Sequence, residues 1–313
     1  MKTVRTAAAV YAKRDFPDGV EKNPQTLPWF QQCFDLSISS QMAEFIEELH
    51  FGHKKDSVDN IWILKRYRGR QSVDYPITAD LSCAIRHQQS SPRLACKYLT
   101  KPLLYQGKKF DLRYYVVVRS LVPLKLVRHK LFILRIANEQ FSLNDFESYQ
   151  KHFTLMSNLG SSNDESDPFS IENIRGVGSR DDPFMDVFIE SFNRENSFFT
   201  WQEHIQPKID LVLRNIFEAV RDTYQYEPIH PSGEKLHPNS GWSLDQPNIC
   251  PAKAMYGVDI ILEKFDDKTI CPKVLEVQWA PDCDRAIKFC PNFWDDILLS
   301  LYFEENGSSF YNI

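Results

Sequence analysis

The run KYLTKPLLYQGKKFDLRYYVVVRS, Lys97 to Ser120, joins a short apolar segment, a Pro/Gly-punctuated loop and a long β-rich segment. In the last of these, side chains alternate faces with period two. Lys109, Asp111, Arg113, Tyr115 and Val117 therefore share one face, and Phe110, Leu112, Tyr114, Val116 and Val118 the other. Three charges beside apolar neighbours on one strand face are costly to bury unless they are paired or met by a ligand. Residues alone leave two readings open, a salt-bridged edge strand and a ligand site.

Upstream of this run, IWILK reads as a strand ending in Lys65, followed by an Arg-rich loop, RYRGRQSVDYPIT. ADLSCAIRH (79–87) reads as a short helix with Thr78 as N-cap, and Leu94–Leu99 as the next strand. Further back, QMAEFIEELHF sets Met42, Phe45, Ile46 and Leu49 at helical spacing, and residues 1–30 read as loop. Downstream, LKLVRHKLFILRI (124–136) is two strands or one bent strand. Ile205–Val220 carries a helical stripe of Ile209, Val212, Leu213, Ile216, Phe217 and Val220 suited to core packing. Residues 157–183 and 227–251 read as long loops, and the chain closes with strands over 254–264 and 272–279 and a helix over 293–303. Helices and strands in this mixture imply an α+β fold.

A second group of charges lies on those last two strands. A hairpin turning about Asp267-Lys268 sets Asp259 directly opposite Glu276, with their Cβ atoms about 4.5–5.5 Å apart. Facing carboxylates repel unless a proton or cation separates them. Gln278 adds a neutral oxygen on the same face, and the three together are hard donors of the kind Mg²⁺ takes. The alternative is a solvated turn with Glu276 in a salt bridge, and a bulge would shift the register.

The chain's formal net charge of −5 gives no reason to expect nucleic acid as a partner. With 42% hydrophobic and 25% charged residues the composition is that of an ordinary globular protein, and no apolar run has the length of a membrane span. Seven cysteines with no CxxC pair read as free thiols in a reducing compartment, so the expected location is cytoplasmic.

Lys65, KYL (97–99), KFDLR (109–113), Arg135, the VDIIL around Asp259 and the LEVQWAPD around Glu276 together resemble the tubulin tyrosine ligase-like family of ATP-grasp ligases. Their order and spacing match from about Trp62 to Asp284. KFDLRYYVVVRS, FSLNDFESYQKHFT and the LEVxxxPDCxRA ending resemble one member in particular. The resemblance implies an ATP-grasp fold divided into a lead-in (1–59), a central subdomain (60–100) and a C-terminal subdomain (101–313), with ATP and Mg²⁺ as cofactors and tubulin as partner. It places Lys65 near the α- and β-phosphates, Lys97, Tyr98 and Leu99 at the adenine, and Lys109 and Asp111 on the nucleotide. Arg113 would face the γ-phosphate, Arg135 the acceptor peptide, and Asp259, Glu276 and Gln278 the metal. The implied chemistry activates a substrate carboxylate as an acyl phosphate and forms an amide with an amine. Arg66, Arg68, Arg70, Arg113, Arg128 and Arg135 would line an electropositive groove for acidic tubulin tails; for the 66–70 cluster an exposed loop without a partner is the alternative.

Four departures from the family pattern bear on activity. The loop after Lys65 holds one glycine, Gly69, where a Gly/Ser-rich phosphate cover is implied. His-Leu-Thr-Asn becomes His152-Phe153-Thr154-Leu155, and Gln278 stands where Asn is usual. Only 64 residues precede Lys65, so an N-terminally truncated core is expected. These departures favour an ATP-binding pseudo-ligase that regulates tubulin modification by binding. An active ligase acting on tubulin C-terminal tails and a plain interaction module with a vestigial site are the other readings.

Overall fold

The computed structural model describes residues 27–51, 60–66, 75–121, 123–154, 183–196, 198–223, 253–266, 268–305 and 307–313. The chain enters through β1 (Cys33–Asp35), α1 (Ser39–Phe51), β2 (Trp62–Arg66), β3 (Ile77–Thr78), α2 (Leu81–Ser90) and β4 (Arg93–Lys97). The four strands pair in the order β1-β4-β2-β3 as a small antiparallel sheet. Phe34, Phe45, Leu49, Trp62, Leu64, Ala84 and Ala95 pack as the core on one of its faces, beneath α1 and α2. The N-cap of α2 is Asp80 and not Thr78. Asp80 is extended and its carboxylate accepts from Ser82 N at 2.9 Å, while Thr78 still belongs to β3 and its hydroxyl accepts from Asp80 N.

A larger sheet follows, built from β5 (Leu104–Tyr105), β6 (Lys108–Leu121), β7 (Leu124–Gln140), and, after α3 (Tyr149–His152), α4 (Pro183–Glu195) and α5 (Gln206–Thr223), from β8 (Ala254–Asp266) and β9 (Thr269–Gln278). The chain ends through α6 (Asp284–Phe289), α7 (Phe293–Leu298) and β10 (Phe310–Asn312). The order is β10-β7-β6-β8-β9, with β5 paired to β6. The α+β class read from the sequence is the class observed. Residues 124–136 lie in one strand whose register against β6 slips between Tyr114 and Val116.

The period-two alternation of β6 sorts its side chains as expected. Phe110, Leu112, Tyr114, Val116 and Val118 enter the main core with Phe188 and Phe192 of α4 and Ile209 and Leu213 of α5. Full burial of each such side chain contributes about 1.5–3 kcal/mol. Tyr115 and Val117 on the other face meet Ala286 of α6 and Phe293 and Ile297 of α7. Helix α4 starts at Pro183, the last residue of the expected 157–183 loop, in a stretch for which no element was expected. Pro183 opens it, and Met185, Phe188, Ile189 and Phe192 follow at helical spacing, a pattern present in the sequence but masked by the preceding Asp-Asp. The rest of that loop, the 227–251 loop and residues 1–26 lie outside the described residues. Among the described residues no helix is long and apolar enough to cross a membrane.

Candidate functional site

Only half of the second face of the large sheet is apolar. Past Tyr115 the same face of β6 continues as Arg113, Asp111 and Lys109, beyond the reach of α6 and α7, and adjacent strands add Arg135 and Asp259 in register. Asp111 pairs with Arg135 on β7, and Arg113 with Asp259 on β8. Lys109, Asp111, Arg113 and Asp259 are all buried.

Burial of so many charges is tolerated because each finds a partner. Arg113 grips Asp259 through two nitrogens, Nε to Oδ1 at 2.8 Å and Nη2 to Oδ2 at 3.0 Å. Arg135 bridges the two carboxylates, reaching Asp111 Oδ1 at 2.5 Å and Asp259 Oδ2 at 2.7 Å. Thr154 Oγ1 donates to the remaining oxygen of Asp111. Burial alone would raise the Asp259 pKa, but Arg135 and Arg113 outweigh it and hold the carboxyl below its ordinary range. For Asp111 burial wins, helped by neighbouring Asp259, and its pKa is raised despite Arg135.

The small sheet supplies the other wall. Lys65 Nζ donates to the Leu275 carbonyl of β9 at 3.1 Å, joining the two sheets. Lys109 lies over the Tyr98 ring, 4.5 Å from its centroid, and donates to Tyr98 Oη at 3.1 Å. That hydroxyl meets His152 Nδ1 at 2.8 Å, and His152 Nε2 in turn meets the Asp145 carbonyl at 2.7 Å. Tyr98 O–H thus donates to an unprotonated Nδ1 and His152 donates from Nε2, in keeping with a ring whose pKa burial lowers. Burial also brings the Lys109 ammonium down to about 7.

Not every expected residue joins this group. Lys97 pairs in register with Trp62 and its ammonium lies 4.5 Å from the Trp62 ring centroid, on the face of the small sheet opposite Tyr98. Leu99 is buried beside Tyr98 in the chain. Arg128 points to the opposite face of the large sheet, where it pairs with Asp210 of α5 at 2.5 Å, so it is no part of a groove shared with Arg113 and Arg135. Arg68 and Arg70 lie outside the described residues. Tyr75, whose hydroxyl feels both Glu276 and Lys65, had no signal in the sequence, and Thr154 had one only through the His152-Phe153-Thr154-Leu155 motif, which did not reveal its bond to Asp111.

The β8–β9 hairpin carries the expected carboxylate pair, by a less direct route than a regular ladder. Asp259 faces Glu276 and Gly257 faces Gln278, but Ile260 faces Val274, so Leu275 is an extra residue on β9. A second slip, between Lys264 and Asp266, restores the register before the turn. Two bulges cancel, and the pairing survives. A bulge leaves its extra residue out of the ladder, and the Leu275 carbonyl is the one that accepts from Lys65. Asp259 is buried and Glu276 exposed, with Gln278 Nε2 donating to Glu276 Oε1. These oxygens fit a hard divalent cation in kind, although the guanidinium contacts already occupy both oxygens of Asp259. Another cluster, His129, Cys290 and Asp296, brings its ligand atoms within 4.8 Å of one another. There Leu131 N donates to His129 Nδ1, which puts the neutral ring's proton on Nε2 and leaves no lone pair on that nitrogen for a metal.

Gly257 keeps the hairpin close to the following loop. A Cβ added there would lie 2.7 Å from Pro281 Cβ and 3.8 Å from Arg113 Nε. Gly257→Ala is therefore expected to destabilise the fold by about 1–3 kcal/mol, the usual cost of overpacking, as measured by urea unfolding. A stability equal to the parent's would show that Pro281 moves aside freely.

In a comparison with protein families, the model described as tubulin-tyrosine ligase family matches residues 13–303. The chain belongs to the tubulin-tyrosine ligase family. Tubulin–tyrosine ligase-like protein 12 of Mus musculus and of Homo sapiens are each 30% identical to it, over 98% and 97% of this chain. That agrees with the particular resemblance read from KFDLRYYVVVRS and LEVxxxPDCxRA. Tubulin glycylase 3F of Tetrahymena thermophila is 23% identical over 86% of the chain. The chain spans 43% and 42% of the mouse and human relatives and 27% of the glycylase.

Proposed function

We propose that this family member binds ATP and Mg²⁺ where its two sheets meet, and that it regulates tubulin modification by binding and not by ligation. The observation that supports this reading is the convergence of Lys65, Lys109, Arg113 and Arg135 with Asp111, Asp259 and Glu276. Lys65, Arg113 and Arg135 bring three positive charges to this face, and a bound polyphosphate would favour the protonated form of Lys109 as a fourth. Lys65 would meet the α- and β-phosphates, Lys109 and Asp111 the nucleotide, and Tyr98 and Leu99 the adenine, with Lys97 serving through its backbone. Arg113 would face the γ-phosphate and Arg135 an acidic acceptor. Asp259, Glu276 and Gln278 would hold Mg²⁺, whose charge offsets that of the phosphate oxygens. Residues 60–100 would form the central subdomain and 101–313 the C-terminal one, with β1 and α1 of the lead-in completing the smaller sheet. The protein would work in the cytoplasm, where tubulin is.

Low turnover follows from two commitments. Arg113 and Arg135 are both held by buried carboxylates, so reaching a substrate oxygen means giving up charge-assisted bonds. Gln278 is a methylene longer than the Asn it replaces, and Mg²⁺ tolerates misplacement poorly. The phosphate-cover loop and Leu155 lie outside the described residues. An active ligase is the second reading, favoured by retention of the full basic set and by the glycylase named among the relatives.

Calorimetric titration with Mg-ATP tests the first part. Saturable binding is expected for the parent and a loss of at least tenfold in affinity for Lys65→Met, a more direct probe than Lys97, whose side chain lies on Trp62. Absence of binding in the parent would end the nucleotide reading. ATP-dependent incorporation of labelled tyrosine, glutamate or glycine into tubulin at ordinary enzyme rates would replace the first reading by the second.

A further inference from the structure

Two of the cysteines are set opposite each other in neighbouring strands. Cys33 of β1 pairs in register with Cys96 of β4, and both are buried and free. The hydrogen bonds around them fix the kind of pair. Lys97 N donates to Gln32 O at 2.8 Å and Leu36 N to Arg93 O at 3.0 Å. In an antiparallel ladder this makes Cys33–Cys96 a non-hydrogen-bonded pair, whose Cα atoms stand about 4.5 Å apart with side chains on the same side. A disulfide accepts Cα separations of about 4.4–6.8 Å. The two thiols face each other from opposed strands. Among the described residues no other cysteines face each other across a ladder.

We propose that Cys33 and Cys96 are a redox couple that closes to a cross-strand disulfide when the protein meets hydrogen peroxide. Contact with Cys33 and the nearby Lys65 charge lower the pKa of the Cys96 thiol, whereas burial raises that of Cys33, so Cys96 is the sulfur that attacks first. Cys96 thiolate attacks one peroxide oxygen, the O–O bond breaks, and hydroxide leaves, taking up a proton to become water. The product is a sulfenic acid on Cys96. Cys33 then attacks that sulfur, loses its proton and expels the oxygen as a second water. Two thiols are oxidised by two electrons and one peroxide is reduced to two waters. Strand β1 is an edge of the small sheet, so local opening of that edge gives a small oxidant its path. Closure would tie β1 to the strand that leads directly into Tyr98 and Leu99.

The test treats the full chain with hydrogen peroxide, followed by alkylation in denaturant and peptide mapping without reductant. The expected result is loss of two alkylatable thiols, a peptide joining Cys33 to Cys96, and recovery of both thiols with dithiothreitol. In Cys33→Ser, dimedone should label Cys96, since its sulfenic acid has no resolving partner. Should that variant fail to fold, the map of the parent chain decides alone. A disulfide from either residue to another cysteine overturns the proposal. So does survival of both thiols after the less buried Cys271 and Cys290 have reacted.

Discussion

Asp259→Asn is expected to lower the unfolding free energy by about 3–5 kcal/mol, the cost of removing one member from a buried ionic group. Asp259 is the shared partner of Arg113 and Arg135, both of which keep little solvent contact. Asparagine preserves the volume but removes the charge, leaving two guanidiniums close together with Asp111 as their remaining carboxylate. The register partner provides the contrast. Glu276 is exposed, so Glu276→Gln should change stability by no more than about 0.5 kcal/mol, while weakening any Mg-ATP binding. Urea unfolding of the three proteins checks both statements. A loss below about 1 kcal/mol for Asp259→Asn would show that the arginines find other acceptors.

The second large effect depends on pH and comes from Lys109. Its ordinary pKa of 10.5 falls to about 7 in the fold, chiefly through burial. The native state therefore disfavours the proton. Below pH 7 both native and unfolded states carry it, and the full burial penalty is present. Between the two values the native lysine is neutral while the unfolded one is charged, so stability rises with pH across that window. Lys109→Met removes the group. The stability of this variant relative to the parent should therefore be greatest at pH 6–7 and fall by on the order of 1–3 kcal/mol by about pH 9. Urea midpoints taken along that range measure the slope. A difference that stays constant would show that Lys109 keeps its proton, held by Asp111 and Tyr98.

Much of this site was legible in the residues, for identifiable reasons. Period-two alternation on β6 put Lys109, Asp111 and Arg113 on one face, because a strand buried on its other face has no freedom to turn over. The Asp259–Glu276 pairing was also legible, since a two-residue turn sets the register. What the turn could not reveal were the two slips along the hairpin, the first of which sets the Leu275 carbonyl where it accepts from Lys65 of the other sheet. Arg128 was misjudged for a related reason, since it lies beyond an irregularity in β7 where periodicity gives no guide to facing; the direction of the Lys97 side chain was equally unreadable, on a strand with apolar neighbours on both sides. Thr154 was legible only as part of the His152–Leu155 motif; its bond to Asp111 was not, because it lies in irregular chain 43 positions away in sequence.

The paired slips in the β8–β9 hairpin constrain how its length can drift. One residue gained or lost between Asp259 and Asp266, or between Thr269 and Glu276, would turn one carboxylate from the charged side of the sheet to the oily one. A compensating change on the opposite strand would restore it. Relatives differing in this hairpin should therefore differ by matched pairs of residues, one on each arm, and a homologue with an unmatched gap there should have lost the ion-pair cluster altogether.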